Sequence, residues 1–277
     1  MKSAILGLIA ETSLHPGAEG TGGVVDLPVA REGGKGYPVI PGSSMKGALR
    51  DKAEQALGEK NSIVEEVFGK PDQAGGLAIT DARLLLLPMR SLAGHYRWVT
   101  CPYLLERFQR DADFINKATD FGFPIKLKNG EAITRGEGIF FLEEFSFKIV
   151  PDEGVIDNVV NAIKPLIYHT SLSDRLSAQL ALISDRDFGY FSQYGLPVNA
   201  RNVLDKKTKT SRNLWYEEII PSDALFYTLV IARNGQEGDI EHVKQLFEES
   251  PYLQVGGNET IGQGWCAVSY LEGGESS

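Results

Sequence analysis

The chain has 277 residues, with 37 Asp and Glu against 28 Lys and Arg and a net charge of −9 at pH 7; the isoelectric point is about 5.1. This balance excludes the uniformly basic signature of a free-standing nucleic-acid binder. Cys101 and Cys266, outside any Cys-x-x-Cys spacing, suggest neither a disulfide scaffold nor a thiolate metal site and read as buried fillers. No Pro/Ser-rich linker, low-complexity tract or fixed-period repeat divides the chain, so a single domain over 1–277 is expected.

In chain order, Ala4–Ala10 is a strand-like apolar run, too short for a membrane span and without the layout of a secretory signal, which points to a cytoplasmic protein. A Gly-rich loop leads to Gly36, then a short strand at Tyr37–Ile40. A helix follows at about Ser44–Leu57, where Met45, Ala48, Leu49, Ala53, Ala56 and Leu57 form an apolar stripe and Gly58 supplies a stop. Leu77–Leu87 reads as a strand, Leu104–Thr119 as a helix, Gly138–Val150 as a strand and Glu153–Ile167 as a helix ended near Pro165. Ala178–Ser184 is a strand and Asp187–Tyr194 a short helix. Residues 197–220 form two arms around the basic tip Asp205–Ser211, a hairpin projecting from the body. Leu225–Ala232 suits a central strand, Ile240–Glu249 an amphipathic helix and Trp265–Leu271 a closing strand. Strands and helices intersperse without strict βαβ repetition, so the class is α+β with antiparallel pairing.

Two segments carry chemistry. In Val39–Arg50 a strand gives way to a helix start at Pro41 and Gly42, with Ser43 or Ser44 available to cap free amides and Lys46 and Arg50 one helical turn apart on a single face. A helix start of this kind attracts anions by only about 0.3–1 kcal/mol, so the two cations must supply much of the attraction, and a repeated phosphate backbone suits them. An ordinary amphipathic helix with solvated Lys46 and Arg50 is the competing reading. The second segment, Val255–Trp265, holds Gly256, Gly257, Gly262 and Gly264, which permit close backbone approach and an anion-binding concavity; a plain turn is the alternative. Charge is also polarised. Arg201, Lys206, Lys207, Lys209 and Arg212 surround the single acid Asp205, whereas Glu237–Glu249 holds five acids and one lysine. Such a surface suits RNA on one side and protein subunits on another, or a soluble acidic protein with one basic loop.

Together with Pro88–Leu92, Trp98–Pro102, Ser184–Phe188 and Asn213–Glu218, these two segments resemble the repeat-associated mysterious protein (RAMP) superfamily, and within it the backbone subunits of type III-B, Cmr-type, CRISPR effector complexes. The resemblance implies a modified ferredoxin-like, RNA-recognition-motif-type fold with an antiparallel sheet, inserted helices and a thumb hairpin at about 197–220. It implies copies stacked head to tail on a guide crRNA, alongside other subunits of the complex and with no membrane partner. It further implies endonucleolytic cleavage of complementary single-stranded target RNA at regular intervals, with a divalent metal, Mg²⁺ or Mn²⁺. Asp26 matches the catalytic aspartate of the family; its carboxylate can take a 2′-hydroxyl proton or hold the metal. His15 can donate a proton to the leaving oxygen or position RNA, and Glu217 is a third contributor, although Ile219 stands where a tyrosine is expected shortly after it. Guide phosphates would be held by Gly42, Ser43, Ser44, Lys46 and Arg50 and by the Gly256–Gly264 loop, and the two strands guided by the thumb cations Arg201, Lys206, Lys207, Lys209 and Arg212. His95, His169 and His242 are too scattered for a metal centre and read as structural. A non-catalytic guide-binding scaffold and a guide-precursor-processing ribonuclease stand as alternatives.

Overall fold

A computed structural model describes residues 2–18, 25–92, 94–233 and 235–274. The first half contains β1 (Ser3–Ala10), β2 (Val39–Ile40), α1 (Gly42–Leu57), α2 (Ser62–Phe68), β3 (Gly69–Lys70), β4 (Gln73–Ala74), β5 (Leu77–Ile79), β6 (Ala82–Ser91), β7 (His95–Thr100), α3 (Pro102–Phe114) and β8 (Glu131–Thr134). The second contains β9 (Ile139–Leu142), β10 (Phe145–Ile149), α4 (Glu153–Ile163), α5 (Thr170–Gln179), β11 (Leu180–Ile183), α6 (Asp185–Tyr194), β12 (Val198–Leu204), β13 (Ser211–Glu218), β14 (Leu225–Ala232), α7 (Asp239–Gln245), β15 (Tyr252–Gln254) and β16 (Trp265–Glu272).

Among the described residues, one large sheet runs in the order β15-β16-β1-β14-β6-β7-β11-β8-β10-β9, with β2 on β6 and β5 on β14. Most pairings are antiparallel; β11 with β7 and β10 with β8 are parallel. Both faces of the central strands are covered, and this is why β1 and β14 read as continuous apolar runs rather than alternating ones. Ala4, Leu6 and Leu8 of β1 face one hydrophobic cluster with Met45 and Leu49 of α1 and Val64 and Val67 of α2. Ile5 and Ile9 face the other, with Phe108 of α3, Ile156 and Val159 of α4 and Leu176 of α5. Cys101 and Cys266 are both buried and free, and burial pushes both thiols well above their ordinary value. No described helix is long and apolar enough to cross a membrane.

The α+β class and the long apolar strands agree with expectation, and the departures have local causes. The expected strand Leu77–Leu87 is two strands, β5 and β6, broken at Thr80 and Asp81 because Asp81 turns to receive the Gly42 N–H at 2.7 Å. The expected strand Gly138–Val150 is the hairpin β9–β10, turned at Glu143, whose φ is 50°. The helix at Glu153 gives way to a 3-10 turn at Lys164–Leu166, because Pro165 has no N–H to continue the ladder. α2, α5, β7 and β8 had no separate signal: their short apolar spacings fit more than one period.

The hairpin at 197–220 is present as β12–β13, a two-stranded sheet of its own, paired from Val198↔Glu218 to Leu204↔Ser211. Its outer half buries little: Val203, Leu204 and Leu214 are exposed. The tip is a built turn. Asp205 accepts from the Lys207 and Thr208 amides at 2.8 and 2.9 Å, and these bonds, Thr208 first, hold its carboxyl below the usual carboxylate range.

Candidate active site

The inner end of the thumb is joined to the body by the loop that follows β1. Leu14 and Ile220 exchange backbone hydrogen bonds at 2.9 Å in both directions. On the far side of the same loop, the Leu27 N–H donates to Tyr216 O and the Glu218 N–H to Leu27 O, both at 3.0 Å. The loop therefore clasps β13 on two sides, and the clasp places His15, Asp26 and Glu217 around one strand end although Asp26 and Glu217 are far apart along the chain.

Asp26 is exposed. Its Oδ2 accepts the Tyr216 N–H at 2.8 Å, and no other hydrogen bond from the described residues reaches the carboxylate. The backbone therefore fixes one oxygen and leaves Oδ1 of this exposed residue without a hydrogen bond from the described residues, available to a base or a cation-ligand role. Gly22, Gly23 and Val24, which precede it, lie outside the described residues.

His15 is only 8% exposed, and its Nδ1 lies 2.8 Å from Glu218 O. A carbonyl only accepts, so Nδ1 carries the proton and Nε2 is the nitrogen left to exchange one. Nε2 lies on the side of Gly17, where a side chain would come within 3.4 Å of it. Glu217 is 2% exposed. Its Oε2 receives Arg201 Nε at 3.0 Å, and its Oε1 receives Asn258 Nδ2 and faces His15 Nδ1 at 3.7 Å. This enclosed carboxylate ties together the loop after β1, β12 and the Gly-rich loop.

The neighbouring Glu218 is also buried, on the opposite side of β13, where it receives the Val29 N–H at 3.0 Å and Arg31 Nη2 at 2.6 Å. Two adjacent acids on a strand point to opposite faces, so both are buried only because the clasp covers both faces. The Gly-rich loop closes the site. The Gly257 N–H donates to His15 O at 2.9 Å. Gly256, at φ 85°, lies so close that a side chain there would meet His15 O at 2.8 Å. Asn258 is left-handed at φ 66° and donates to Gln263 Oε1 at 2.9 Å as well as to Glu217.

The structure thus brings His15, Asp26, Glu217, Gly256 and Gly257 together and adds Asn258, Glu218 and Arg31, which sequence reasoning missed. The signal for Asn258 was present: asparagine is among the few non-glycine residues that tolerate the left-handed region. Arg201 is drawn inward by Glu217. Lys206, Lys207 and Lys209 are exposed at the tip, while Arg212 pairs with Asp205. Gly262 and Gly264 lie at the far end of the Gly-rich loop, with φ 82° and 94°. His169 pairs with Glu11 at 2.8 Å, away from any metal-type cluster.

The start of α1 differs from expectation. Pro41 is the N-cap residue, neither Ser43 nor Ser44 caps, and the Gly42 N–H is taken by Asp81 because the end of β5 packs against this turn: a side chain on Gly42 would meet Ile79 O at 2.9 Å. A carboxylate of the chain itself thus engages one of the amides expected to face a phosphate, that of Gly42. Lys46 and Arg50 keep their shared face, but Arg50 donates to Glu54 Oε1 at 2.7 Å and to Gly69 O at 2.6 Å.

As a cation site, the thumb base offers one exposed carboxylate with an oxygen not bonded by the described residues, Asp26. No group of three or more His, Cys, Asp or Glu suited to a metal exists among the described residues. That donor set fits a magnesium-like ion of the kind that takes one carboxylate and fills its remaining positions with water and substrate oxygens.

A family model described as the RAMP superfamily matches residues 8–267. The chain is 34% identical over 287 aligned residues to the CRISPR system Cmr endoribonuclease Cmr4 of Pyrococcus furiosus, covering 98% of this chain and 97% of that one. It is 24% identical to the CRISPR system CMR subunit Cmr4 of Saccharolobus solfataricus, covering 89% of each. The crystal structure of oligomeric Cmr4 from Pyrococcus furiosus superposes with a TM-score of 0.80 at 30% identity, over 99% of this chain and 100% of that one. The cryo-EM structure of the type III-B Cmr-beta complex bound to cognate target RNA contains a chain of the same fold, with a TM-score of 0.80 at 21% identity over 97% and 96%.

Proposed function

The chain belongs to the RAMP superfamily, and we propose that it is the backbone subunit of a cytoplasmic type III-B, Cmr-type, CRISPR effector complex. It binds the guide crRNA, stacks head to tail with further copies beside other subunits of the complex, and cuts complementary target RNA where each thumb interrupts the paired strands. Similarity over nearly its whole length to a protein named an endoribonuclease supports this reading. So does the observation that carries it: the clasp at the thumb base puts an exposed aspartate, bonded through one oxygen only, and a tautomer-fixed histidine at the root of the projecting hairpin.

In this reading Asp26 removes the 2′-hydroxyl proton of the target nucleotide, and the 2′-oxygen forms a bond to phosphorus as the bond from phosphorus to the 5′-oxygen breaks. The His15 imidazolium delivers its Nε2 proton to that leaving oxygen. The products are a 2′,3′-cyclic phosphate and a 5′-hydroxyl. Glu217 and Asn258 act as positioning residues that hold the His15 loop against the thumb. In the alternative role, Asp26 would hold a divalent ion, Mg²⁺ or Mn²⁺, together with RNA oxygens instead of taking the proton, and the ion would supply charge neutralisation at the phosphate.

Asp26→Asn in the reconstituted complex tests the assignment, because it keeps an acceptor for the Tyr216 amide while removing the base. Cleavage is expected to disappear with target affinity nearly unchanged. Surviving cleavage would establish the scaffold alternative in place of this one, and specific cutting of unprocessed repeat RNA by the isolated chain would establish precursor processing.

A further inference from the structure

Between α6 and the β9–β10 hairpin lies a pocket of about 360 Å³ that neither Asp26 nor His15 lines. Phe145 of β10 and Tyr190 and Tyr194 of α6 form a row along it. The Phe145 and Tyr190 rings stand 5.2 Å apart, edge to face, and Tyr190 and Tyr194 stand 5.2 Å apart at 49°. The three residues are 38, 46 and 66% exposed and belong to neither hydrophobic cluster. An aromatic ring contributes to a fold mainly through its burial, so three rings gathered in solvent offer apolar surface and π-faces to something outside the chain.

The rings are held in place. Phe145 and Tyr190 both lean on the buried Phe191, with centroids 5.6 and 5.9 Å from its ring. Pro88, Pro197 and Pro221 add walls whose φ is locked. A side chain on Gly195 would meet Phe191 O and Met89 Cε, both at 2.8 Å, so the end of α6 is pressed against its surroundings. A cavity of about 300–1,000 Å³ with apolar walls and a few polar groups is the usual form of a small-molecule site.

Those polar groups set the sign of the ligand. Arg90, the one cation in the lining, donates to Glu143 through Nε at 2.7 Å and through its backbone N–H at 3.1 Å. Glu144 also acts on this guanidinium, but it forms no ion pair with any described residue. Two carboxylates against one guanidinium leave a negative charge beside three aromatic faces, and both features attract cations. A metal ion would leave the rings unused, whereas an alkylammonium engages rings and carboxylate together.

We propose that this pocket binds an aliphatic di- or polyamine, one ammonium group against Glu144 and the methylene chain along Phe145, Tyr190 and Tyr194. Pro197 and Pro221 stand where the thumb leaves and rejoins the body, so the bound amine rests on the thumb root. This inference stands independently of the ribonuclease reading.

Isothermal titration of the full chain with spermidine at fixed ionic strength tests the assignment. Saturable binding is expected, weakened about two- to five-fold by Tyr190→Leu and by Glu144→Gln and retained in Tyr190→Phe, because the ring face and not the hydroxyl makes the contact. Both positions are exposed, so the unfolding midpoint should hold. Glu248→Gln, in the acidic stretch beyond α7, controls for general attraction to a chain of net charge −9 and should bind like wild type. The proposal is overturned if wild type shows no saturable binding, if Tyr190→Leu binds as wild type does, or if Glu248→Gln loses as much affinity as Glu144→Gln. If wild type takes no spermidine while Glu144→Gln changes its sedimentation, the pocket seats a second copy and the amine assignment falls.

Discussion

The thumb hairpin and the central strands β1 and β14 are both antiparallel β-structure, but they are held by different forces. β1 and β14 are buried on both faces and locked by two hydrophobic clusters. The thumb leaves Val203, Leu204 and Leu214 in solvent and is fastened at one end by two buried carboxylates, Glu217 and Glu218. The contrast teaches that the candidate site sits on a polar hinge. The body supplies stability, and the polar clasp decides where the thumb stands relative to Asp26 and His15. An arrangement of this kind lets the site be disturbed without unfolding the molecule.

The largest expected effect tests the body. Leu8→Ala removes a fully buried side chain between β14 and β16 and should cost about 2–5 kcal/mol, read as a drop in the midpoint of denaturant unfolding. A much smaller loss would mean that β1 is not the stability centre. Glu218→Gln should cost less, about 1–3 kcal/mol, by leaving Arg31 without its charged partner. That cost should fall locally: hydrogen exchange at residues 197–220 accelerates while protection of β1 and β14 holds. Acceleration throughout the sheet would erase the distinction between hinge and body.

The smallest effect lies at the tip. The Asp205 carboxyl is depressed below its ordinary value by the Thr208 and Lys207 amides. Its contribution to the turn is therefore complete above the unfolded carboxylate pKa and is lost as pH falls through the depressed folded value. A pH titration followed by NMR should move the Lys207 and Thr208 amide signals in that acid window and leave the global unfolding midpoint in place. A concerted shift of the whole spectrum would show that the tip is coupled to the body.

Much of this arrangement is legible in the chain. The apolar runs of β1 and β14, the stripe of α1, the bounds of the thumb and the glycines of 256–264 follow from periodicity and turn chemistry, because these signals are local. Asp26, His15 and Glu217 came from resemblance rather than spacing, since a loop aspartate or a lone histidine has no periodic signature. The start of α1 shows where local reasoning stops. Pro41 and Gly42 mark the turn correctly, yet the occupant of the Gly42 amide is Asp81, 39 residues on and brought there by β5 and β6. Arg50 and Arg201 read as free cations along the chain, but Gly69, Glu54 and Glu217 engage them.

By itself the sequence determined the class of fold, the projecting hairpin and the basic tip, because hydrophobic period, turn residues and charge runs act over a few positions; the candidate residues Asp26, His15 and Glu217 came from resemblance. Only the tertiary structure decided which charges are spent inside the molecule and which face outward. Partners for Glu217, Glu218, Arg50 and Gly42 come from strands and loops distant along the chain, and an ion pair or amide contact is settled by proximity in space, which no spacing along the chain encodes.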